Sequence, residues 1–421
     1  MDTRRGFLKK AIASGTVVWS GLRMPLVSQE KKAPEPPQDA DVTAEWAKLH
    51  AEPKAQPGTK YKVGHVKASG TALKLEKTAT GYSIAMPGGT PVPTPAVYKD
   101  KVYVSAGFHS KQYFCVEAAT GKLVWGVDLD DDGPSTAACE DDLCVVNTES
   151  CTIFVLEAST GKQVWSLWLG DPLMTAPTIA KGRVFTSYPA NGRGHHKEAS
   201  HLLGAFDLRT GRILWQRWID GDVISAPVAV GDEVVVATFT GTVFRFKQDS
   251  GELLSAIRSR ATSAPVVVGN ELHFSKRSEQ SGDAQEALCV WEKGGGARYA
   301  NVFGARSAKY LEEKVQNAAD LKKSGDQLDA SNGFAAGAPA AANAGAAAKN
   351  VGQSNVATLQ SFQGSRVLRY EDKNMACMGD EVVCTDPKDG KKVWSVKLKG
   401  DLAKSGASWA RRRWPRAVRC S

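Results

Sequence analysis

The sequence predicts an all-β fold, a β-propeller built from four-stranded blades. Two recurring patterns predict it. The first is a Thr-Gly turn in which a Trp stands four residues after the Gly. The second lies upstream of it and consists of two short apolar strands joined by a Gly/Asp turn. Copies of the first pattern recur at spacings of 40 and 50 residues. A period of about 40–50 residues that contains four short strands is typical of a propeller blade.

The upstream pattern predicts one β-hairpin per blade. In SAPVAVGDEVVVAT, an apolar strand is followed by a turn and then by a strand rich in Val, as in antiparallel hairpins. These blocks occupy 94–106, 136–148, 175–187, 225–238, 263–275 and, in a shorter form, 375–384. The Thr-Gly segment supplies the second hairpin, so six blades are recognisable, and 60–90 could hold part of another.

The Gly and the Trp of the turn motif have structural roles. Glycine adopts a positive φ without steric cost, and an indole is large and flat enough to fill the gap between neighbouring blades. The residues assigned to this role are Gly121, Trp125, Gly161, Trp165, Gly211, Trp215, Gly251, Gly390 and Trp394. The motif therefore predicts a turn and a contact between blades, and it is not a cofactor-binding motif.

At these residues the chain resembles the pyrroloquinoline-quinone (PQQ) repeat propellers, whose repeat is Ala-x-Asp-x-x-Thr-Gly-x-x-x-Trp. AFDLRTGRILW (205–215) matches in full, while CVEAATGKLVW (115–125) and VLEASTGKQVW (155–165) match with Glu replacing the Asp. The resemblance covers about 92–400 and implies a ring of seven or eight blades. It implies little about activity, because the family includes dehydrogenases, outer-membrane assembly scaffolds and other exported proteins.

The remaining segments differ from the repeats in composition. We assign them as a signal segment (1–29), a linker (30–60), the propeller (61–400) with a helical and low-complexity insertion (304–363), and a basic tail (401–421). The Ala/Gly/Asn-rich part of the insertion has too little bulk for a core. For the tail, with its five Arg, two interpretations stay open: a frameshift or truncation that removed one or two blades, and a genuine basic tail.

The N-terminus resembles a twin-arginine export signal. Thr3 to Lys9 match the pattern Ser/Thr-Arg-Arg-x-Phe-Leu-Lys, and an apolar run continues from Ala11 to Trp19. That run is short for a permanent membrane helix, so we expect membrane contact only through an uncleaved signal segment. The sequence thus predicts a periplasmic or otherwise extracytoplasmic protein, and a basic start of a cytosolic protein is the alternative.

The net charge of +9 does not predict nucleic-acid binding. The excess of Lys and Arg lies in 1–32 and 407–421, and the body between them is close to neutral. A nucleic-acid-binding domain would instead carry a basic patch on the folded surface. The expected partners are envelope proteins or a small polar ligand.

Propellers bind ligands where the loops between blades converge, and those loops are charged in this chain. The candidate ligand-binding residues are Asp130, Asp131, Asp132, Asp171, Asp220, Asp222, Arg258 and Arg260. Facing acidic and basic groups suit a polar ligand or a cation. A solvated rim without a ligand is the alternative.

Two segments offer candidate metal ligands. DLDDDG resembles the opening of a calcium loop, although its twelfth position is Cys139 rather than Glu. Its candidate ligands are Asp128, Asp130 and Asp132. NGRGHHKEASH clusters three imidazoles that could bind zinc or copper, with an exposed polar loop as the alternative: His195, His196 and His201.

Eight cysteines fit an oxidising compartment. Two pairs flank short acidic turns and could face each other across a hairpin within disulfide reach: Cys139–Cys144 and Cys377–Cys384. Cys151 competes as a partner for Cys144. Burial as small strand residues is the alternative for all of them.

The predicted function is that of an exported, non-catalytic binding or assembly scaffold. The alternative is a quinoprotein-type oxidoreductase dependent on PQQ or a metal. The resemblance implies adjacent Cys-Cys residues, a Glu/Asn/Asp calcium set and an Asp base in such enzymes, and this chain has no adjacent cysteines. We therefore assign no catalytic residue, and PQQ and calcium remain candidate cofactors only. A structural remnant of a broken gene is the third interpretation.

Overall fold

The computed structural model describes residues 39–51, 64–87, 92–107, 110–148, 151–169, 175–190, 199–280, 283–294, 296–302, 367–378 and 381–397. All of them belong to one compact unit, Asp39–Ser421. They form 28 β-strands and one α-helix. The signal segment (1–29), the insertion (304–363) and the tail (401–421) lie outside the described residues, and their assignments stay predictions.

The described chain begins with elements that precede the first blade. They are β1 (Ala40–Asp41), α1 (Thr43–Ala51), β2 (Val66–Ala68), β3 (Lys74–Thr78) and β4 (Gly81–Ala85). β3 and β4 form a separate two-stranded sheet. Among the described residues, the region before the first repeat thus contributes this hairpin.

Six sheets each contain four consecutive antiparallel strands in chain order, which confirms the predicted propeller blades. Blade 1 consists of β5 (Ala96–Tyr98), β6 (Lys101–Ser105), β7 (Gln112–Glu117) and β8 (Leu123–Leu129). Blade 2 consists of β9 (Ala138–Glu140), β10 (Leu143–Asn147), β11 (Thr152–Glu157) and β12 (Gln163–Trp168). Blade 3 consists of β13 (Thr178–Ala180), β14 (Arg183–Pro189), β15 (His201–Asp207) and β16 (Ile213–Ile219).

The second half of the chain repeats this arrangement. Blade 4 consists of β17 (Val228–Val230), β18 (Glu233–Ala237), β19 (Thr242–Lys247) and β20 (Leu253–Arg258). Blade 5 consists of β21 (Val266–Val268), β22 (Glu271–Gln280), β23 (Asp283–Glu292) and β24 (Gly296–Val302). Blade 6 consists of β25 (Leu368–Tyr370), β26 (Lys373–Met378), β27 (Glu381–Thr385) and β28 (Lys392–Lys397).

The hydrophobic core lies between successive blades. In the middle strands of blade 2, the neighbouring residues Val145 and Val146 are both fully buried, because one faces blade 3 and the other faces blade 1. Successive blades share core clusters, represented by Tyr113 with Phe154, Val145 with Phe185, Val235 with Phe274, and Leu288 with Val383. The alternation of Val and Phe in the second and third strands is thus the main source of packing.

The structure corrects the linker assignment of 30–60, because residues 39–51 are part of the folded unit. β1 pairs with the outer strand of blade 4, where Ala40 lies opposite Arg258. The amide of Val42 donates to the carbonyl oxygen of Ala256 at 2.9 Å. This segment therefore adds a fifth strand to blade 4, just as β2 adds one to blade 1.

The helix α1 packs on blades 3 and 4. Trp46 is 4% exposed, and its ring meets the ring of Phe244 edge-on with centroids 4.9 Å apart. Nε2 of His50 lies 2.9 Å from the carbonyl oxygen of Trp218. Asp41 caps the helix by accepting a hydrogen bond from the amide of Thr43. Burial of the Trp46 indole is what holds this short helix in place.

Candidate functional site

Each Trp of the turn motif covers the turn of the next blade. A Cβ added to Gly161 would lie 2.7 Å from Cε3 of Trp125, so only a glycine lets the indole approach this closely. Nε1 of Trp125 also donates to the carbonyl oxygen of Ala158 at 2.9 Å. One side chain thus packs on the next turn and satisfies one of its backbone carbonyls.

The same contact recurs at the following two seams. Trp165 lies on Gly211 and donates to the carbonyl oxygen of Leu208 at 2.8 Å. Trp215 lies on Gly251 and donates to the carbonyl oxygen of Gln248 at 2.9 Å. In all three turns the glycine has a φ close to +70°, which other residues rarely adopt.

Arg217 strengthens the seam between blades 3 and 4. Its Nε donates to the carbonyl oxygen of Gly251 at 2.6 Å, and its Nη2 donates to that of Ser250 at 2.8 Å. Burial lowers the pKa of the Arg217 guanidinium. The turn of blade 4 is therefore held by an indole and a guanidinium from blade 3.

Tyr82 in β4 covers the turn of blade 1 in place of a Trp. A Cβ added to Gly121 would lie 2.5 Å from the ring of Tyr82. Its hydroxyl donates to the carbonyl oxygen of Ala118 at 2.8 Å. The β3–β4 hairpin thus packs on blade 1 as each blade packs on the next.

Blade 6 exposes the face that the earlier blades cover. Cross-strand pairing places Leu368, Met375, Cys384 and Trp394 in one row across its sheet. The opposite face packs on blade 5 through Ala376 and Val383. We define the blade-6 face by its four exposed apolar residues, with their exposed fractions: Leu368 (52%), Tyr370 (52%), Trp394 (40%) and Val396 (56%).

Asp131 and Asp220 of the predicted ligand site bind hydroxyl groups of the following blade. Asp131 accepts a short hydrogen bond from Thr148 at the end of β10. Asp220 accepts a hydrogen bond from the hydroxyl of Thr238 at 2.7 Å and another from the hydroxyl of Thr242. Thr148 and Thr238 occupy equivalent places, because each also binds backbone atoms of the residue four positions later. These carboxylates therefore link blades.

Asp222 belongs to a buried group that we call the hydroxyl network: Asn147, Thr175, Ser187 and Asp222. Oδ1 of Asp222 accepts three hydrogen bonds. Two come from the hydroxyls of Thr175 at 2.7 Å and Ser187 at 2.6 Å, and the third comes from the amide of Val223 at 2.8 Å. Nδ2 of Asn147 donates to the carbonyl oxygen of Thr175 at 3.0 Å. The network joins blades 2 and 3 to the start of blade 4.

The other residues of the predicted ligand site are dispersed. Asp130 accepts from the amide of His65 at 2.8 Å, and Asp132 lies 4.0 Å from Nζ of Lys111. Arg258 is the last residue of β20, opposite Thr242, and Arg260 follows with a φ of +59°. Asp171 lies outside the described residues. The candidate residues thus make separate local contacts.

The candidate metal ligands do not converge in the described part of the chain. There, no three side chains of His, Cys, Asp or Glu come together as a metal site would require. Asp128 lies in β8 opposite Gln112, whereas Asp130 and Asp132 belong to the following loop and have the partners given above. Nδ1 of His201 lies 2.8 Å from the hydroxyl of Ser200, while His195 and His196 are outside the described residues. Asp128, Asp130 and Asp132 thus have separate surroundings, and the calcium site stays a prediction.

Neither predicted cysteine pair is present as a disulfide. Cys139 and Cys144 are directly opposite each other in β9 and β10, but both are reduced thiols. Cys384 is a buried thiol in β27, and the side chain of Cys377 is outside the described residues. In the second hairpin, Cys377 lies opposite Val382 and Cys384 lies opposite Met375, so only the first pair is directly opposite.

Sequence reasoning missed the hydroxyls that stand before the first strand of several blades. Oγ of Ser135 accepts from the amide of Asn147 at 3.0 Å, and Oγ of Ser263 accepts from the amide of Ser275 at 2.9 Å. Thr175 occupies the corresponding place in the hydroxyl network. The recurring Ser/Thr-Ala-Pro of blocks 175–187, 225–238 and 263–275 was a signal that could have identified this position.

No helix among the described residues is both long and apolar enough to cross a membrane.

A protein-family model matches residues 112–194 and 199–378 of this chain. The family is described as outer membrane protein assembly factor BamB. No curated protein matches the chain at a significant level.

Solved structures with similar folds include members of two functional classes. BamB from Moraxella catarrhalis is 15% identical, with 81% of this chain and 90% of that chain covered and a TM-score of 0.48. The quinohemoprotein alcohol dehydrogenase from Comamonas testosteroni is 13% identical, with 62% of this chain and 48% of that chain covered and a TM-score of 0.37. Similarity at this level assigns no activity.

Proposed function

This chain belongs to the family described as outer membrane protein assembly factor BamB, and from that premise we propose that it is an extracytoplasmic, non-catalytic scaffold. Its partner is another protein of the cell envelope that takes part in outer membrane assembly. The family description supports the class of partner, and the export signal predicted in 1–29 supports the compartment.

The blade-6 face is the observation that carries this proposal. In blades 1, 2 and 3 the corresponding indole is covered by the turn of the next blade. Trp394 is instead 40% exposed, with Val396 on the same strand, while Leu368 and Tyr370 are exposed on the other edge strand of the sheet. Exposed apolar surface is typical of a protein-binding site, and Trp and Tyr are the residues that most often dominate binding energy.

The contacts at the other seams define what this face would bind. A partner that covers Trp394 as blade 4 covers Trp215 presents a tight turn with a glycine and an accessible backbone carbonyl. The carbonyl would accept the indole N–H, as that of Gln248 does for Trp215 at 2.9 Å. We therefore infer that the partner is a folded protein that presents such a turn.

The candidate ligand residues support a non-catalytic role. The carboxylates of Asp131, Asp220 and Asp222 accept hydrogen bonds from hydroxyls of the blades. A carboxylate has about four acceptor sites, and contacts within the fold already occupy some of them in each of these residues. These residues hold blades together.

Among the described residues we find no set of ligands that would hold PQQ with its calcium ion. The sequence has no adjacent cysteines, and the described residues have no three-ligand group of His, Cys, Asp or Glu. Titration of the folded protein with PQQ and calcium, followed by calorimetry and absorbance, separates the scaffold from the quinoprotein alternative. Tight binding of one PQQ per chain would favour the oxidoreductase.

Affinity purification from solubilised envelopes tests the scaffold directly. The full chain, its Trp394→Ser variant and a Val164→Ser variant are compared by quantitative mass spectrometry. Val164 is the matched control, because it is also 40% exposed but lies in blade 2. We expect the wild type and Val164→Ser to retain an outer membrane assembly protein that Trp394→Ser loses by about tenfold. Equal retention by all three proteins, or enrichment of no such protein, would contradict the proposal.

A further inference from the structure

Two thiols face each other across the first hairpin of blade 2. Cys139 of β9 and Cys144 of β10 are directly opposite in the antiparallel register. Opposite residues in antiparallel strands have Cα atoms about 4.5–5.5 Å apart, and disulfides span Cα distances of about 4.4–6.8 Å. The two sulfurs can therefore be joined without moving either strand.

The two thiols differ in accessibility. Cys144 is fully buried, whereas Cys139 is only half-buried in the short strand β9. The hydrogen bond with Cys139 and burial raise the pKa of the Cys144 thiol well above its usual range. A reagent that approaches this hairpin therefore meets Cys139 first.

Two other cysteines lie near this hairpin. Cys115 of blade 1 is fully buried in the same core cluster as Cys144, but in its own sheet it lies opposite Tyr103 and Trp125 and not opposite a cysteine. Cys151, the competing partner of Cys144, belongs to the core cluster that blade 2 shares with blade 3. Cys144 belongs to the cluster shared with blade 1, so the two lie on opposite sides of the sheet.

We propose that Cys139 and Cys144 are a modification site at which thiol–disulfide exchange forms a cross-strand disulfide. The co-reactant is a protein or small-molecule disulfide of an oxidising compartment. The disulfide would join the three-residue strand β9 covalently to β10, at the place where blade 2 meets β13 of blade 3.

The exchange proceeds in two displacements. The Cys139 thiolate attacks one sulfur of the incoming disulfide, so that its S–S bond breaks, one thiolate leaves and a mixed disulfide forms. The Cys144 thiolate then attacks the Cys139 sulfur and releases the second thiolate. The two cysteines lose two electrons and two protons in total, and the incoming disulfide takes them up as two thiols.

Differential alkylation of the folded full chain tests this site. The protein is equilibrated with oxidised glutathione and alkylated in denaturant with a first reagent, then reduced and alkylated with a second reagent. Cleavage after Glu140, Asp141 or Asp142 separates the two cysteines for mass spectrometry. We expect the second label at both Cys139 and Cys144 and the first label at Cys115 and Cys289.

Two variants make the outcome decisive. In Cys139→Ser, which changes a half-buried position, Cys144 should carry the first label. In Cys289→Ser, a control in blade 5, the pair should still carry the second label. Far-UV circular dichroism checks that each protein is folded. The first label at both Cys139 and Cys144 in the folded wild type, or a Cys144–Cys151 linkage, would overturn the proposal.

Discussion

Gly251 and Trp215 are so close that a Cβ on the glycine would lie 2.6 Å from Cδ2 of the indole. The contact joins blade 4 to blade 3, and the equivalent contacts join blades 2 and 3 to the blades before them. The Thr-Gly and Trp elements of the repeat thus act on each other across a seam rather than within one blade.

Gly251→Ala should destabilise the protein by about 2–4 kcal/mol, because the new methyl group meets the indole and the residue keeps a φ of +65°. Gly231→Ala is the matched control: its φ is +60°, but nothing lies within 4 Å of the added Cβ. Gly231→Ala should lower the free energy of unfolding by only about 1–2 kcal/mol, because alanine disfavours a positive φ. Urea unfolding measures both values, and equal losses would show that the indole contact contributes nothing.

Trp215→Ala should cost about 3–5 kcal/mol, because it removes a buried indole and leaves the Gln248 carbonyl without its donor. Trp394→Ala should lower the free energy of unfolding by a smaller amount, about 1–2 kcal/mol, because 40% of this residue is already exposed to solvent. Thermal or urea unfolding of the two variants compares them. A loss at Trp394 as large as that at Trp215 would mean that the blade-6 face is covered within the folded chain.

Glu233 should make stability depend on pH through the seam between blades 4 and 5. Burial acts to raise the pKa of Glu233, but hydrogen bonds from Arg245 and Lys293 outweigh it and hold the pKa below its usual value. As the pH falls, the unfolded chain therefore binds this proton first, and the contribution of Glu233 to stability is lost as the pH falls from about 4.5 through the folded pKa.

The Glu233→Gln variant tests this sign. The stability difference between wild type and variant should be constant near neutral pH and should shrink between about pH 5 and pH 3. Glu252→Gln is the control, because Glu252 pairs with Lys247 at the surface and should show a much smaller dependence. A difference that grows with acidity would contradict the assigned shift.

Asp222→Ala should cost about 2–3 kcal/mol, because it leaves the buried hydroxyls of Thr175 and Ser187 without their shared acceptor. Asp132→Ala should change the free energy of unfolding by no more than about 0.5 kcal/mol, because the ion pair between Asp132 and Lys111 is long and accessible to solvent. Urea unfolding measures both. If Asp222→Ala were neutral, the carboxylate would be available for a ligand, as the sequence analysis expected.

The repeat made the blades predictable, because each one contains its own strand and turn signals within about 45 residues. Contacts between distant segments were not predictable in the same way. Trp46 packs on Phe244, and no periodic pattern relates the two. Tyr82 replaces a Trp on Gly121 although its hairpin lacks the motif.

The candidate site was harder to predict because charge alone does not show where a carboxylate points. Asp220 and Asp222 stand in a loop that reads as a solvent-exposed rim, yet both bind hydroxyls from neighbouring strands. Those hydroxyls come from residues far along the chain, and only the packing of one blade on the next brings them together. Sequence spacing could therefore identify the loop but not the contacts.

Photo-crosslinking at Val396 most directly tests the claim that the blade-6 face binds an envelope protein. A photoreactive amino acid is placed at Val396, which is 56% exposed in β28, and in a second protein at Val97, which is 70% exposed in β5 of blade 1. Both proteins are irradiated in intact cells, and the cross-linked species are identified by mass spectrometry. We predict that an outer membrane assembly protein is cross-linked at Val396 and not at Val97. Cross-linking of no such protein at Val396, or equal cross-linking at both positions, would contradict the account.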